Sequence, residues 1–511
     1  MKRPFVTSLL LLFVIFTGGA DAQTGTLFTV EQNGTRAQRI NIVFLSEGYT
    51  AADMPNFATH VSTAVNFLFT REPWQQYRSY CNVYRIEIAS NQSGCDNGNT
   101  SGSGGLRDTY FSTGFNTPSI PQLLTFAGTG SSRAYTLLNT HVPEYDVPVV
   151  LVNDTKYGGT GGGIAVASVD SSSSAIVEHE IGHSFAFLED EYDTYYAQFT
   201  PFEAPNTTAQ TSRNLIRWKH WIDATTPVPT PETAAYDALA GLFEGSMYRT
   251  TGWYRPHNNS LMRNLNRPCG QVNREQFVLN FYSRVSPVDT SSPGTANQNI
   301  ATYQTLGFTV TPKLPSSGVA LVTGWKIDAT IQAGATGNGF NVNSETIGNG
   351  SHTVSATVRD PTVFVRSDPG GLLDDTVTWP LTLSNQLPPN LAAWRTAYGS
   401  DTANPANDGL KNMVKYALGL DPAKRATAAQ FPSGSLTATG PSTFLTLTVP
   451  RRNKRTDVTY TAEVSGDLVT WNSGPGHTVT LQDTNTLLVV RDAVPASGSA
   501  QRFMRLKVAE L

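Results

Sequence analysis

A chain of 511 residues is too long for one hydrophobic core and predicts three or four domains. The formal net charge is only -4 and 15% of residues are charged, so no basic surface is expected for nucleic acid or an anionic membrane. The 43 glycines and 30 prolines fit a secreted, turn-rich protein with much β-structure.

Lys2 and Arg3 precede an apolar run from Ser8 to Phe16, and Ala20-Asp21-Ala22 is an A-x-A-like cleavage site. Residues 1–22 are therefore predicted to be a signal peptide, with a mature start near Gln23. The run is too short to span a bilayer comfortably, and no other stretch is long and apolar enough to do so. The mature protein is expected to have no transmembrane segment and to be secreted and extracellular, with a periplasmic or cell-surface location as the alternatives.

Arg39 to Phe44 (RINIVF) reads as a strand ended by Ser46-Glu47-Gly48-Tyr49. Ala51 to Thr70 has helical spacing, with Phe57, Val61, Val65 and Phe69 at intervals of four. Val83 to Ala89 alternates as a strand, Asn91 to Gly105 is a Gly/Ser/Asn-rich loop, and Pro118 to Leu138 carries a weaker helical pattern. Val147 to Asn153 is a buried-strand candidate. Gly158 to Gly163 is no phosphate loop, because no Gly-Lys-Ser/Thr follows. It is either a flexible linker or the approach to a short strand, Ile164 to Val169, that lies beside a cleft and pairs with extended substrate. The alternation of strands and helices predicts an α/β (α+β) domain. Cys81, Cys95 and Cys269 leave at least one thiol unpaired. Cys81 with Cys95 would close a short loop. With no C-x-x-C, a zinc role for these cysteines is not expected.

The next stretch organises the chain. His179-Glu180-Ile181-Gly182-His183 is an H-E-x-x-H pattern. On a helix, residues four apart share a face, so both imidazoles can meet one zinc ion while Glu180 reaches its water as general base. The competing reading is a surface helix with two unrelated histidines. Ser171 to Ser174 offer N-caps, and Ile181, Phe185 and Leu188 form an apolar stripe that can bury. Gly182 costs a helix interior about 1 kcal/mol, which close approach of another backbone beneath the metal would explain. Of Glu189, Asp190 and Glu191 at least one is expected to be a solvated, charged helix end; for the third ligand Asp190 is preferred over Glu189. A carboxylate from a distant element, Glu244 or Glu275, is a further option.

HEIGHSFAFLEDEY resembles the signature of the IgA-peptidase family of secreted bacterial zinc metallopeptidases, H-E-x-G-H-S-F-x-x-L-x-D-E-Y. Val43–Tyr49 (VFLSEGY), Asn82–Asn97 (NVYRIEIASNQSGCDN) and Tyr254–Met262 (YRPHNNSLM) are similar to the same family, so the likeness covers about residues 38 to 285. It implies a zincin-like catalytic domain over residues 23–290, with His179, His183 and Asp190 holding zinc and Glu180 as base. It does not imply that IgA is the substrate. In that family an Asn-x-x-Met stretch falls at Asn259–Met262, which makes Met262 the candidate methionine turn, an apolar floor beneath the metal. Tyr254 and Arg255 are candidates for stabilising the oxyanion, with packing and loop hydrogen bonding as their alternative.

Between 193 and 250 helices are expected at Trp218–Ile222 and Thr233–Phe243, and residues 271 to 283 read as a closing helix. Alternating runs then predict an immunoglobulin-like β-sandwich at 300–385. Residues 387–423 resemble a calcium-type spacer repeat, but only Asp401 and Asp408 remain of its acidic ligands, so a helical spacer is expected rather than a calcium site. Residues 430–511 form a terminal β-domain that, with the sandwich, offers contact with a cell surface or matrix. The chain thus reads as a secreted zinc endopeptidase acting on protein or peptide. Its rivals are an inactive zinc-binding scaffold used for adhesion and a zinc amidase acting on cell-wall peptides. The intact Glu180 speaks against the scaffold.

Overall fold

The structure, a computed structural model, describes residues 24–98, 105–115, 120–301, 304–344, 347, 349–384, 388–498 and 501–511. The expected signal peptide and the start near Gln23 lie outside these residues, as do residues 99–104 of the expected loop and 118–119 of the weaker helical stretch. Among the described residues no helix is long and apolar enough to cross a membrane.

From the N-terminus the elements run β1 (Thr26–Glu31), β2 (Ile40–Glu47), α1 (Met54–Leu68), β3 (Cys81–Glu87), the two-residue strands β4 (Thr113–Gly114) and β5 (Thr125–Phe126), α2 (Gly130–His141), β6 (Val147–Val152), β7 (Gly159–Thr160), β8 (Ala165–Ser168), α3 (Ser173–Ala186), β9 (Phe243–Ser246), β10 (Arg249–Arg255) and α4 (Gln271–Arg284). Six strands make one sheet in the order β1-β3-β2-β6-β8-β7. Its centre is parallel, and β1 and β7 run antiparallel along the two edges.

β2 is buried at every position, because both faces of the sheet are covered. Ile40, Ile42 and Phe44 share a core with Phe57, Val61 and Val65 of α1, Ile181 and Phe185 of α3, and Phe277 and Phe281 of α4. Val43 and Leu45, on the opposite face, meet Leu137 and Leu138 of α2. Each such side chain contributes about 1.5–3 kcal/mol when fully buried. The period-four spacing of α1 is thus its core stripe. The weaker helical pattern resolves differently: α2 begins only at Gly130, and residues 120–129 are irregular apart from β5.

Two expected helices are absent. Trp218–Ile222 and Thr233–Phe243 contain only the 3-10 turns Lys219–Trp221 and Ala234–Tyr236. Pro227, Pro229 and Pro231 remove helical donors between them, and Trp218, Trp221, Ile222 and Leu242 bury their side chains from irregular backbone. The three cysteines are buried and free, so no Cys81–Cys95 disulfide forms; Cys95 Sγ instead donates to Asp154 Oδ2 at 3.5 Å.

Further on come β11 (Val288–Ser292), β12 (Gln298–Ala301), β13 (Thr305–Pro312), β14 (Val322–Ile327), β15 (Thr330–Ile331), β16 (Gly339–Asn343), β17 (Gly350–Arg359), β18 (Asp374–Ser384), α5 (Leu391–Tyr398), α6 (Asn412–Leu418), β19 (Ser433–Thr439), β20 (Ser442–Pro450), β21 (Val458–Ser465), β22 (Thr478–Asp483), β23 (Leu487–Pro495) and β24 (Phe503–Glu510). The chain forms two compact units: residues 1–298, 307–341 and 352–380, and residues 299–306, 342–351 and 381–511. The expected 300–385 sandwich is divided between them. In the first unit the reason is visible. Tyr77 and Tyr282 both donate to Asp360 Oδ2, at 2.6 and 2.7 Å, and Leu373 joins the core of α1, α3 and α4. Phe308, Trp325, Phe340 and Trp379 meet ring to ring at the centre of its β-strands.

In the second unit β19, β20, β23 and β22 form one antiparallel sheet, and β21 pairs with β24. The two acidic residues of the expected spacer that precede Gly409 are both engaged by cations of the chain. Asp401 is bound by Arg395, and Asp408 by the fully buried Lys415 at 2.8 Å.

Candidate metal centre

α3 begins with Ser172 in the cap position, but no side chain caps it; the turn is held by Asp170, whose Oδ1 accepts from Ser172 N at 2.8 Å. The helix is buried along most of its length, with Ile181 and Phe185 in the core. It stops after Ala186 because Phe187 takes a left-handed conformation at φ 56°. Leu188 N–H then returns to Gly182 O at 3.0 Å, and Leu188 is buried. This turn carries Asp190 back over the helix.

Asp190 Oδ1 lies 3.1 Å from His179 Nε2 and 3.4 Å from His183 Nε2, and the two imidazole nitrogens are 3.2 Å apart. The other ring nitrogens are occupied: His179 Nδ1 faces Leu261 O at 3.1 Å and His183 Nδ1 faces Leu188 O at 2.7 Å. Each Nδ1–H donated to a carbonyl leaves an Nε2 lone pair aimed at the common point. A tetrahedral zinc with ligands at about 2.0–2.1 Å holds its donor atoms roughly 3.3 Å apart, so this donor set fits zinc.

Glu180 also offers an oxygen; ligand atoms of His179, Glu180 and His183 lie within 4.8 Å of one another. Asp190 is nevertheless the carboxylate in contact with both rings. Electrostatics single out the same point. Burial works against charging His183, but Asp190 outweighs it and its pKa is pushed up to about 10. Burial opposes the Asp190 carboxylate too, yet the two histidines hold it well below the usual range. Burial raises Glu180 above an ordinary carboxyl, with the histidines pulling the other way. The pocket therefore favours positive charge between three donors, beside a desolvated carboxyl.

The remaining acidic residues do other work. Glu189 sits on backbone clasped by Asn206, which accepts from its N–H and donates to its C=O, both at 2.8 Å. None of the three is the solvated helix end expected of at least one: Glu189 and Asp190 are half-buried, and Glu191 is fully buried and accepts from Asn206, Ser260 and Asn273. Glu244 accepts from Gly252 N in the β9–β10 hairpin, and Glu275 from His220, Trp221 and the N–H groups of Arg366 and Ser367.

Met262 is fully buried, and a Cβ at Gly182 would come within 2.7 Å of its Sδ. The space at Gly182 is thus taken by a thioether and not, as expected, by another backbone. Tyr254 and Arg255 do not line the cleft. Arg255 is fully buried and donates to the carbonyls of Glu244 and Gly245, while Tyr254 packs with Trp218 and Leu242 and pairs with Thr208. Alternation along β10 sends Tyr254 into that apolar cluster and Arg255 to the opposite side, onto the carbonyls of the hairpin.

What lines the cleft, about 460 Å³ in volume, went unseen in the sequence: Tyr157, Tyr192 and Tyr248, with Gln122 and Leu123 on another wall. Tyr192 stacks on His179, with ring centroids 5.9 Å apart. Only Tyr192 carried a signal, as the last residue of HEIGHSFAFLEDEY. The edge beside the cleft also differs from expectation. β8 is an inner strand between β6 and β7, and the edge is β7, formed by the glycine run itself.

Residues 28–240 match the family model described as IgA Peptidase M64, so the resemblance carried by HEIGHSFAFLEDEY is borne out. No curated protein matches the chain. Among solved structures, the FN1-FN3 domains of chicken CNTN1 match at 7% identity over 44% of this chain and 61% of that one, with a TM-score of 0.14. Chitinase ChiA74 from Bacillus thuringiensis matches at 10% identity over 53% of this chain and 41% of that one, with a TM-score of 0.12. The chain spans less than two thirds of either, and at these scores neither likeness bears on fold or function.

Proposed function

We propose, on the premise that residues 28–240 match the family model described as IgA Peptidase M64, a family of metallopeptidases, that the protein is a secreted zinc endopeptidase with a zincin-like catalytic domain. The observation that carries the reading is the convergence of His179 Nε2, His183 Nε2 and Asp190 Oδ1 within 3.1–3.4 Å, each imidazole fixed through its other nitrogen by a carbonyl. These three residues would hold the metal, with Met262 packed against Gly182 of α3. Bound zinc supplies Lewis acidity toward a scissile carbonyl and acidifies a bound water. Glu180, beside the cluster and raised by burial, accepts the water proton and returns it to the leaving amine. Gly161, just past β7 and lining the cleft, offers backbone to an extended peptide, which favours protein substrates over small amides. The expected Ig-like strands and the C-terminal β-domain serve as surface or matrix contacts.

The test is metal content and turnover on the purified chain. About one zinc per chain is expected, with casein hydrolysis abolished by a chelator and restored by zinc. Hydrolysis that persists after complete metal removal would sink the proposal.

A further inference from the structure

We infer that the cleft is walled at one end by the chain's own backbone, so that substrate pairs with the protein at Gly161 and is recognised at length on one side of the scissile bond only. This rests on the peptidase reading and adds the direction in which a substrate can extend.

Successive residues of a strand turn their N–H and C=O to opposite sides. Along β7, Gly158 O accepts from Ser168 N, and Thr160 lies opposite Val166, so Gly158 and Thr160 face β8. Gly159 faces outward, and both of its groups are already used. Its N–H donates to Gln122 O at 3.2 Å, and its C=O accepts from Leu124 N at 3.3 Å. Continued past the end of β7 at Thr160, the same alternation gives the next outward pair to Gly161, two residues or about 6.6 Å further along.

Gly161 lines the cleft directly against the metal helix, where a Cβ would come within 2.3 Å of His183 Cβ. Only a residue without a side chain lets the backbone lie that close, leaving its far side for a second chain. Beyond it, Gly162 and Gly163 are exposed to solvent.

The wall is fixed. Leu124 is fully buried in the core with Val150 and Val166, and Leu123 N–H closes a turn onto Ile120 O at 3.0 Å. Gln122 O is seated where Gly158 has no side chain; a Cβ there would lie 2.2 Å from it. A peptide paired at Gly161 and running toward Gly159 therefore meets the Gln122–Leu124 backbone after about two residues and must turn out of the cleft. In the other direction, among the described residues, the backbone that follows Gly161 is that of the exposed Gly162 and Gly163.

The experiment uses zinc-loaded full-length protein and one peptide taken from a site it cleaves in denatured casein. Two nested series lengthen that peptide one residue at a time, toward its N-terminus or its C-terminus. On one side kcat/KM is expected to climb with successive residues, by about tenfold or more in total, as backbone hydrogen bonds are added. On the other it is expected to level off after about two residues. Equal gains on both sides would overturn the inference and leave the peptidase reading standing. Failure to cleave casein or any peptide would overturn both.

Discussion

The Tyr248 hydroxyl donates to Asp190 Oδ2, the carboxylate oxygen that does not face the imidazoles. Tyr248 is held in turn by Phe199, stacked on it with centroids 4.4 Å apart. The hydrogen bond turns a carboxylate that could chelate through both oxygens into one that presents Oδ1 alone. Partners of this kind are worth about 10–100-fold in metal affinity. Tyr248→Phe is expected to fold normally and to weaken zinc binding by about that factor, read by competition with a chromophoric chelator. Unchanged affinity would remove the role.

Glu180 should be separable from the metal. Glu180→Gln keeps the shape and leaves the three donors in place, so zinc content should match the parent. Turnover should fall about a hundred- to ten-thousandfold, the range for loss of a general base. Cleavage at the parental rate by a zinc-replete variant would contradict the assignment.

Gly182 and Met262 fill one space and should not act independently. Gly182→Ala forces a methyl against Met262 Sδ, 2.7 Å away, and overpacking of this sort costs about 1–3 kcal/mol. Met262→Ala alone empties the floor at about 2–5 kcal/mol. In the double variant the added methyl occupies part of the vacated volume, so its loss should fall short of the sum by about 0.5 kcal/mol or more. Chemical denaturation of the four proteins measures the coupling, and strict additivity would show that the contact carries no energy.

The second unit should soften in acid. Burial works against the Asp408 carboxylate, but the Lys415 ammonium and the N–H groups of Ala426 and Leu410 outweigh it and hold the pKa at about 2. Because the folded value lies below the ordinary one near 4, the stabilisation is fully present above about pH 4 and is lost as pH falls toward 2. Lys415→Met, which strands the carboxylate, is expected to cost about 3–5 kcal/mol at neutral pH and to flatten that acid dependence. A parental acid limb in the variant would rule the pair out as its source. Added calcium should leave the melting temperature of the parent unchanged, since Lys415 Nζ already binds Asp408 and the carbonyl of Lys424 at 2.7 Å.

What the sequence disclosed was local or periodic. The all-apolar β2 and the period-four stripe of α1 need no tertiary knowledge, and neither does the pair of imidazoles one turn apart in α3. Asp190 could only be preferred, because its approach depends on Phe187 entering the left-handed region, which a bulky side chain rarely does. Tyr248 lies 58 residues beyond Asp190 in a stretch with no recognisable spacing. Tyr254 and Arg255 had the right chemistry and neighbourhood, but the β9–β10 hairpin turns Tyr254 into a separate apolar cluster and ties Arg255 to its own carbonyls. The aromatic run at 218–222 looked helical because its rings must be buried, and burial is achieved there without a helix.

The left-handed residue at the end of α3 has one more effect. By reversing the chain at Phe187 it gathers all three donor atoms from a single short stretch between positions 179 and 190. A ring that small costs little chain entropy to close. The donors themselves therefore come from one segment, with Tyr248 and Leu261 orienting them from outside it, and withdrawing the ion should unfasten the bend after the helix before it disturbs the sheet beneath.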